Sequence, residues 1–244
     1  MDQNGGNKLN YLQMLSSLGV GGAHPGGISL TKEIFEQEKY PISHTVLDVG
    51  CGTGQSCYYL HQLGYNVIGL DVDHLMIQQA KKRNKECQCE ILYIQEDLTS
   101  TSLPDQLSDI ILSESVLNFT NLDLTLPELK RILKPNGVMI AIEMIRTAPL
   151  LESESTEITS FYGIPDILSI EDWKSTFNKF GLSIYKIQSE DDFFSIKTEE
   201  PSTEFNITDV TPSLAFNMLT MHEELSLRYK DKLSFRVFYA RHSV

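Results

Sequence analysis

The segment TVLDVGCGTG, residues 45–54, has the residue types of a nucleotide-binding turn. A short β-branched run leads through Asp48 into closely spaced glycines, and a second apolar run, residues 67–70, ends in Asp71. Glycines lack Cβ, so the backbone can turn tightly and approach a ligand closely. A carboxylate at the end of the second strand suits the paired hydroxyls of a ribose. The spacing from Gly54 to Asp71 fits the roughly 20 residues expected of such a strand–turn–helix–strand unit.

The glycine pattern also argues against two other nucleotide sites. A dinucleotide fingerprint that starts at Gly50 needs glycine or alanine at position 55, which is Gln55; one that starts at Gly52 needs it at position 57, which is Cys57. No Lys-Ser or Lys-Thr pair follows the glycines, as a P-loop would require. A pyrophosphate-binding site is therefore disfavoured.

Five segments between about residues 43 and 145 occur in a recognisable order: VLDVGCGTG, VIGLDVD, IQEDL, SDIILSESVLNF and LKRILKPNGVMIAIE. This series resembles a class I S-adenosylmethionine-dependent methyltransferase. The resemblance implies S-adenosylmethionine as the cofactor, S-adenosylhomocysteine as the product and a Rossmann-like α/β fold. GLDVD and LKRILKPNG loosely resemble the ubiquinone/menaquinone biosynthesis type, from which the HPGG loop and a long late insertion depart.

The resemblance assigns cofactor roles by motif position. Asp48 resembles the acid that orders the turn and faces the methionine amino group, and Asp71 resembles the ribose-binding acid. Asp97 and Leu98 resemble the pair beside the adenine. The cofactor-binding residues that we expect are Asp48, Gly50, Cys51, Gly52, Gly54, Asp71, Val72, Met76, Asp97, Leu98, Ser113 and Glu114.

Alternation of strands and helices over residues 45–145 predicts a doubly wound, mostly parallel sheet covered on both faces. Expected strands are 45–49, 67–70, 90–94, 109–113, 137–144, 182–187 and 233–240. Expected helices are 29–39, 55–63, 74–84, 127–134, one beginning at Ser169 with Asp172 as a capping partner, and 212–229. The helix at 127–134 is expected to start near Pro127 and to end at the turn Pro135-Asn136-Gly137.

In the resembled family the last two strands form an antiparallel pair. Residues 188–232, which separate them here, are too many for a hairpin loop. We therefore expect an N-terminal helical cap at 1–44 and a methyltransferase domain at 45–244, with lid insertions near 146–168 and 188–232. The alternative for 188–205 is an acidic loop without a role.

The composition of the chain argues against several kinds of binding partner. The net charge of −13 disfavours nucleic acid, and the cluster Lys81-Lys82-Arg83 suits the C-terminal end of a helix. No run of roughly 20 apolar residues predicts a membrane span. The four cysteines fit a reduced cytoplasmic setting. No metal site is expected, since His222-Glu223-Glu224 lacks the second His of an H-E-x-x-H helix.

Three residues are candidates for catalysis. His24 lies in the glycine-rich loop GVGGAHPGGISLT and could contact a ligand or only pack against the turn. Asn118 follows the fourth strand and could face the acceptor or only cap the next turn. Tyr162 is the favoured member of a possible apolar acceptor pocket. The other aromatic or apolar candidates are Tyr11, Met14, Phe161 and Trp173.

The sequence thus predicts an S-adenosylmethionine-dependent methyltransferase with a small-molecule acceptor. Methyl transfer from a sulfonium is an in-line displacement, so catalysis would rest mainly on positioning. One alternative is a non-catalytic S-adenosylmethionine-binding sensor or partner subunit. Another is a dinucleotide-dependent oxidoreductase. The sequence does not identify the atom that receives the methyl group or the oligomeric state.

Overall fold

A seven-stranded sheet forms the centre of the protein, seen in a computed structural model that describes residues 9–193, 203–207 and 213–243. The strand order is β3-β2-β1-β4-β5-β7-β6. Strand β7 runs antiparallel to both neighbours, and the other adjacent pairs are parallel. The strands are β1 Thr45–Val49, β2 Asn66–Asp71, β3 Leu92–Gln95, β4 Ser108–Glu114, β5 Leu133–Arg146, β6 Leu182–Gln188 and β7 Leu233–His242. The predicted fold class, including the antiparallel last strand, is confirmed.

Helices cover both faces of this sheet. One face packs against α2, α3 and α4, and the other against α5 and α7. The described α-helices are α1 Tyr11–Leu18, α2 Gly27–Glu38, α3 Gln55–Gln62, α4 His74–Cys87, α5 Leu122–Ile132, α6 Glu152–Tyr162, α7 Ile170–Lys179 and α8 Ser213–Arg228. Among the described residues, no helix is both long and apolar enough to cross a membrane.

A third hydrophobic cluster joins three helices that lie outside the α/β core. It contains Met14 and Leu18 of α1, Ile158 of α6, and Ala215 and Leu225 of α8, all buried. We call α1, α6 and α8 the cap. The three helices come from the N-terminal segment and from the two insertions that the sequence identifies.

The fifth helix differs from its predicted span. It begins at Leu122, where the Asn121 side chain accepts a hydrogen bond from the backbone N–H of Asp123, and Pro127 lies inside it. Strand β5 begins at Leu133, so Pro135-Asn136-Gly137 falls within that strand rather than in a preceding turn. The pairing of β4 with β5 is irregular here, and this irregularity accommodates a proline without a donor.

Candidate active site

The glycine turn follows β1 at the edge of the sheet where the strand order reverses. In open α/β sheets this edge is the usual ligand site. Gly50, Gly52 and Gly54 all have positive φ. A Cβ on Gly50 would lie 2.4 Å from a methyl of Val116, whereas a Cβ on Gly52 would meet nothing within 4 Å. Gly50 therefore permits close packing, and Gly52 leaves space for a ligand.

Asp71 ends β2 and holds the turn in place. Its Oδ2 accepts a hydrogen bond from the Gly52 N–H at 2.8 Å, and its Oδ1 accepts one from the Asp73 N–H at 2.9 Å. Burial raises the pKa of this carboxyl above its usual value, although these backbone donors oppose the effect. The side chain still borders the cavity described below, as a ribose-binding acid should.

Asp48 lies beneath the turn, almost completely buried. Its Oδ2 accepts a hydrogen bond from the Cys57 thiol at 3.1 Å. Burial, reinforced by Glu114, raises the pKa of Asp48 well above its usual value. The carboxyl therefore binds the thiol at the first turn of α3, directly after the glycine turn.

One cavity of about 1370 Å³ joins the turn to the cap. It is larger than the roughly 300–1,000 Å³ of a typical small-molecule pocket, and so it has room for a cofactor and an acceptor together. Twelve of the fifteen expected site residues line it: His24, Gly50, Cys51, Gly52, Asp71, Val72, Met76, Asp97, Leu98, Glu114, Asn118 and Tyr162. Asp48, Gly54 and Ser113 do not line it and lie behind its wall.

Glu114, at the end of β4, accepts hydrogen bonds from side chains of two helices, α2 and α3. It accepts hydrogen bonds from Thr31 Oγ1 at 2.5 Å and Ser56 Oγ at 2.6 Å. His24 Nε2 is buried 3.4 Å from Glu114 Oε2 and has no hydrogen-bond partner among the described residues. The structure thus brings His24 next to an expected cofactor residue. Its contact with an acceptor stays a prediction.

Gln55 is a cavity residue that the sequence reasoning treated only as a broken fingerprint. Its side-chain Oε1 is buried, and no residue in the described part of the chain gives it a hydrogen bond. The residue borders the cavity. Buried polar atoms are rarely left unpaired in folded proteins. Together with His24 Nε2, this oxygen provides a second unpaired polar atom beside the turn, which suits a ligand with both donors and acceptors, such as an amino-acid group.

Glu143 lies fully buried in β5 and organises the loop after β4. Its carboxylate accepts from the backbone N–H groups of Val116, Leu117 and Asn118 and from the Asn118 side-chain amide at 2.8 Å. Ser113 also approaches it, at 3.4 Å. Burial raises the pKa of Glu143 to about 7. The Asn118 amide is therefore engaged with Glu143, and its contact with an acceptor stays a prediction.

Asp97 and Leu98 border the cavity beyond β3. The Asp97 carboxylate accepts from the Thr99 N–H at 2.8 Å and the Thr99 hydroxyl at 2.7 Å. These hydrogen bonds lower the pKa of Asp97. Leu98 is buried against the core. The pair offers an apolar wall beside a fixed negative charge.

Tyr162 lies at the end of α6 among aromatic side chains of the cap. Its ring centroid is 4.9 Å from that of Tyr11, which stacks in turn with Phe119 at 5.9 Å. Its Oη lies 3.0 Å from His222 Nδ1. His222 borders the cavity, and sequence reasoning weighed it only as a metal ligand. No local signal pairs the two residues, because they are 60 positions apart.

The other four candidates for the acceptor pocket differ in whether they line the cavity. Tyr11 and Met14 line the cavity. Phe161 packs against the rings of Tyr11 and Tyr162 without lining it. Trp173 is fully buried in the core between the sheet and α7, in contact with Phe177 and Phe238. The interpretation of Trp173 as a pocket residue is therefore wrong, because its ring packs in the hydrophobic core and does not line the cavity.

The residues at the turn fit an S-adenosyl cofactor. Asp71 remains accessible to a ribose, and Gly52 leaves open space. Among the described residues that line the cavity, His24 Nε2 and Gln55 Oε1 are buried without hydrogen-bond partners. No cluster of three or more metal-ligating side chains occurs within the described parts of the chain.

Comparison with known proteins agrees with this geometry. A family model described as a methyltransferase domain matches residues 47–141. The uncharacterized methyltransferase YodH of Bacillus subtilis is 33% identical over 233 residues, covering 94% of this chain and 98% of that protein.

Solved structures share the fold at low identity. Phosphoethanolamine N-methyltransferase 2 of Haemonchus contortus, in complex with phosphomonomethylethanolamine and S-adenosylhomocysteine, has a TM-score of 0.74 and 17% identity; the match covers 95% of this chain and 57% of that one. Geranyl diphosphate C-methyltransferase of Streptomyces coelicolor, in complex with Mg²⁺, geranyl-S-thiolodiphosphate and S-adenosylhomocysteine, has a TM-score of 0.68 and 14% identity, covering 88% and 76%. The chain belongs to the class I S-adenosylmethionine-dependent methyltransferases.

Proposed function

We propose that this enzyme transfers the methyl group of S-adenosylmethionine to a small molecule held between the glycine turn and the cap. The observation that carries the proposal is that one continuous cavity is lined by the turn, by Asp71 and by the cap side chains. Bringing both reactants into one cavity supplies the proximity and alignment that an in-line displacement needs.

The cofactor half of the cavity is assigned to the turn and the strand ends. Asp71 binds the ribose, Leu98 and Asp97 lie beside the adenine, and Glu114 with His24 faces the amino-acid end. The other proposed contacts are Gly50, Cys51, Gly52, Val72 and Met76. Asp48, Gly54 and Ser113 support this wall from behind.

The acceptor half is assigned to the cap. Helices α1, α6 and α8 supply Tyr11, Tyr162 and His222, and the loop after β4 supplies Asn118 and Phe119. This division supports lid insertions near 146–168 and 188–232 on a methyltransferase domain that spans 45–244. Of the N-terminal segment 1–44, α1 belongs to the cap, whereas α2 packs on the sheet. Residues 194–202 and 208–212 of the second insertion lie outside the described residues.

The net charge of −13 supports a small molecule rather than nucleic acid as the partner. Four free cysteines support a cytoplasmic setting.

The test is calorimetric titration with S-adenosylmethionine and S-adenosylhomocysteine, followed by an acceptor screen that detects S-adenosylhomocysteine and a methylated product by mass spectrometry. We expect both cofactor forms to bind and one acceptor class to gain a methyl group. Binding of neither form would contradict the proposal.

A further inference from the structure

A second, smaller pocket of about 260 Å³ lies where the end of β5 and the first half of β7 meet the start of α7. We call it the arginine pocket. Its lining residues are Ile145, Arg146, Thr147, Ser169, Ile170, Glu171 and Arg236.

The arginine pocket is separate from the large cavity. Among the described residues, none lines both. Phe235 and Arg236 are neighbours on β7, so their side chains point to opposite faces of the sheet. Phe235 borders the large cavity and Arg236 borders the arginine pocket. A ligand of the smaller pocket is therefore not a reactant of methyl transfer.

Arg146, the last residue of β5, presents a guanidinium that is fixed in position. Its Nε donates to the Ile167 carbonyl at 3.0 Å, and its Nη2 donates to Asp172 Oδ2 at 2.6 Å. Asp172 also accepts from the Ser169 hydroxyl and N–H, and the contacts with Ser169 and Arg146 lower the pKa of its carboxyl. No acceptor in the described part of the chain takes a hydrogen bond from Arg146 Nη1, so this nitrogen is available to a ligand.

Arg236 supplies a positive charge that no carboxylate of the described residues neutralises. Its Nη1 donates to Ser234 Oγ at 3.0 Å and to the Phe235 carbonyl at 2.6 Å, and both acceptors are neutral. Of the six arginines in the sequence, four form ion pairs, and Arg241 lies over the ring of Tyr185. An arginine without an acidic partner is unexpected in a chain with 33 acidic and 20 basic residues.

The carboxylate at the rim does not cancel this charge. Among the described residues, Glu171 is the one acid that lines the pocket, and its side chain is 79% exposed and lies 2.9 Å from Lys174 Nζ. Arg146 is already balanced by Asp172. The pocket therefore keeps the positive charge of Arg236, beside the apolar side chains of Ile145 and Ile170.

We propose that the arginine pocket binds a phosphate group, either free or as the ester of a small molecule. The planar guanidinium fork matches the oxygens of an oxyanion. A tetrahedral phosphate can accept from Arg146 and Arg236 together because its oxygens point in several directions, whereas the two oxygens of a carboxylate lie in one plane. The exposed Thr147 hydroxyl offers a further donor at the rim.

The size of the pocket agrees with this ligand. Its volume of about 260 Å³ is slightly below the roughly 300–1,000 Å³ of pockets that enclose a whole small molecule. The phosphate and a few attached atoms fit inside, and the rest of an ester would extend into solvent.

The test is a titration of inorganic phosphate, followed by the width of its ³¹P NMR signal at constant ionic strength. The full chain is saturated with S-adenosylhomocysteine, because α2 and α3 begin without side-chain caps beside the cofactor site and could also bind an anion. We expect the parent protein to broaden the signal. Acetate should compete about tenfold more weakly than phosphate, since it reaches one guanidinium rather than two.

Variants locate the binding. Arg236→Gln should lower phosphate affinity by about tenfold or more, and Arg236→Lys should recover only part of it, because lysine keeps the charge but not the fork. Thr147→Glu should also weaken binding, since it places a carboxylate at the rim. The control Arg241→Gln removes the same charge from the same strand outside the pocket and should bind phosphate like the parent. All four variants should keep the parent's affinity for S-adenosylhomocysteine.

Three results would overturn the proposal: no broadening by the parent, unchanged phosphate affinity in Arg236→Gln, or an equal loss in Arg241→Gln. Acetate that binds as tightly as phosphate would overturn the choice of phosphate. Phenyl phosphate identifies the source of the group. Tighter binding than inorganic phosphate would support an ester whose body lies against Ile170, and weaker binding would support free phosphate.

Discussion

His24 Nε2 lies 3.4 Å from Glu114 Oε2, and both side chains are almost fully buried beside the glycine turn. Glu114 already accepts two hydroxyl donors, Thr31 and Ser56. The imidazole thus faces a carboxylate that is held in place from two helices and is next to the proposed amino-acid end of the cofactor.

Replacing His24 tests which reactant it serves. We expect His24→Ala to weaken S-adenosylmethionine binding about tenfold, the equivalent of one charge-assisted hydrogen bond. His24→Gln, which keeps a donor, should recover part of that loss. Calorimetry gives the affinity, and turnover at saturating cofactor gives the second readout. Unchanged affinity with reduced turnover would place His24 on the acceptor side, as the sequence alone suggests.

Gly52 offers a test of the cofactor site that has an internal control. Gly52 and Gly163 both have positive φ, and a Cβ on either would meet nothing within 4 Å. Only Gly52 lines the cavity. We expect alanine at either position to lower the free energy of unfolding by a similar amount, roughly 1–2 kcal/mol, because a residue with a Cβ is strained in the left-handed conformation.

Cofactor affinity should separate the two variants. We expect Gly52→Ala to weaken S-adenosylhomocysteine binding by about tenfold or more, since a methyl group enters the ligand space. Gly163→Ala should bind normally after a similar loss of thermal stability. Equal affinities for the two variants would show that the cofactor does not approach the turn.

Asp71 combines a structural and a binding role. Its carboxylate accepts the Gly52 and Asp73 N–H groups and still borders the cavity. We expect Asp71→Ala to weaken cofactor binding by about ten- to a hundredfold, given roughly 1.5–3 kcal/mol for hydrogen bonds to a charged group. Asp71→Asn, which keeps one acceptor oxygen, should have a cofactor affinity between those of the parent and of Asp71→Ala. Retained affinity in a folded Asp71→Ala protein would refute the ribose assignment.

The sequence predicts the central sheet well because its signals are local. Strand β1 has the expected bounds, and Ser169 caps α7 with Asp172 as its partner. Pro127 misled the prediction because proline favours a first helical turn, but the Asn121 cap starts the helix earlier.

The acceptor side could not be predicted in the same way. Tyr162 and His222 meet only after two separate insertions pack against α1, and neither has a distinctive neighbour in the sequence. The role of Glu143 could not be predicted either, because the N–H groups that donate hydrogen bonds to it lie 25 to 27 positions away, in the loop after β4. Cofactor motifs are contiguous in the chain, whereas acceptor pockets are assembled from distant segments.

A short strap, residues 203–207, connects the cap to the glycine turn. Gly21 and Glu204 exchange backbone hydrogen bonds, and the Glu204 carboxylate pairs with Arg83, whose Nε also donates to the Thr53 carbonyl at 3.0 Å. The arginine side chain is mostly buried. Arg83 therefore links the strap to the glycine turn. This contact is additional to the favourable position at the C-terminal end of α4 that the sequence predicts for its charge.

Breaking this ion pair should loosen the contact between the strap and the glycine turn. We expect Glu204→Gln to raise the cofactor dissociation rate by up to about fivefold, since a partly exposed ion pair contributes roughly 1 kcal/mol or less. High salt should reduce the difference between variant and parent. The matched control is Glu86→Gln, which removes the exposed Lys82–Glu86 pair on the same helix. Stopped-flow dissociation rates that match among all three proteins would show that the strap does not hold the cofactor.

Glu143 should make stability depend on pH. Burial raises its pKa from 4.5 to about 7 in the folded protein. Between these two values the folded state holds a proton that the unfolded state has lost, so this group's contribution makes the free energy of unfolding fall as pH rises through that window. Denaturant titration at several pH values measures the slope.

The variant Glu143→Gln tests the assignment. The NH₂ group of a glutamine here would face N–H donors of the loop after β4 and could not accept their hydrogen bonds. We therefore expect the free energy of unfolding to fall by about 1–3 kcal/mol. Because glutamine does not titrate, the variant should also show a flatter dependence of stability on pH between 4.5 and about 7. The control Glu96→Gln changes a carboxylate bonded to Ser102 outside the core and should leave that window unaltered. An identical slope in Glu143→Gln and the parent would assign the titration to another group.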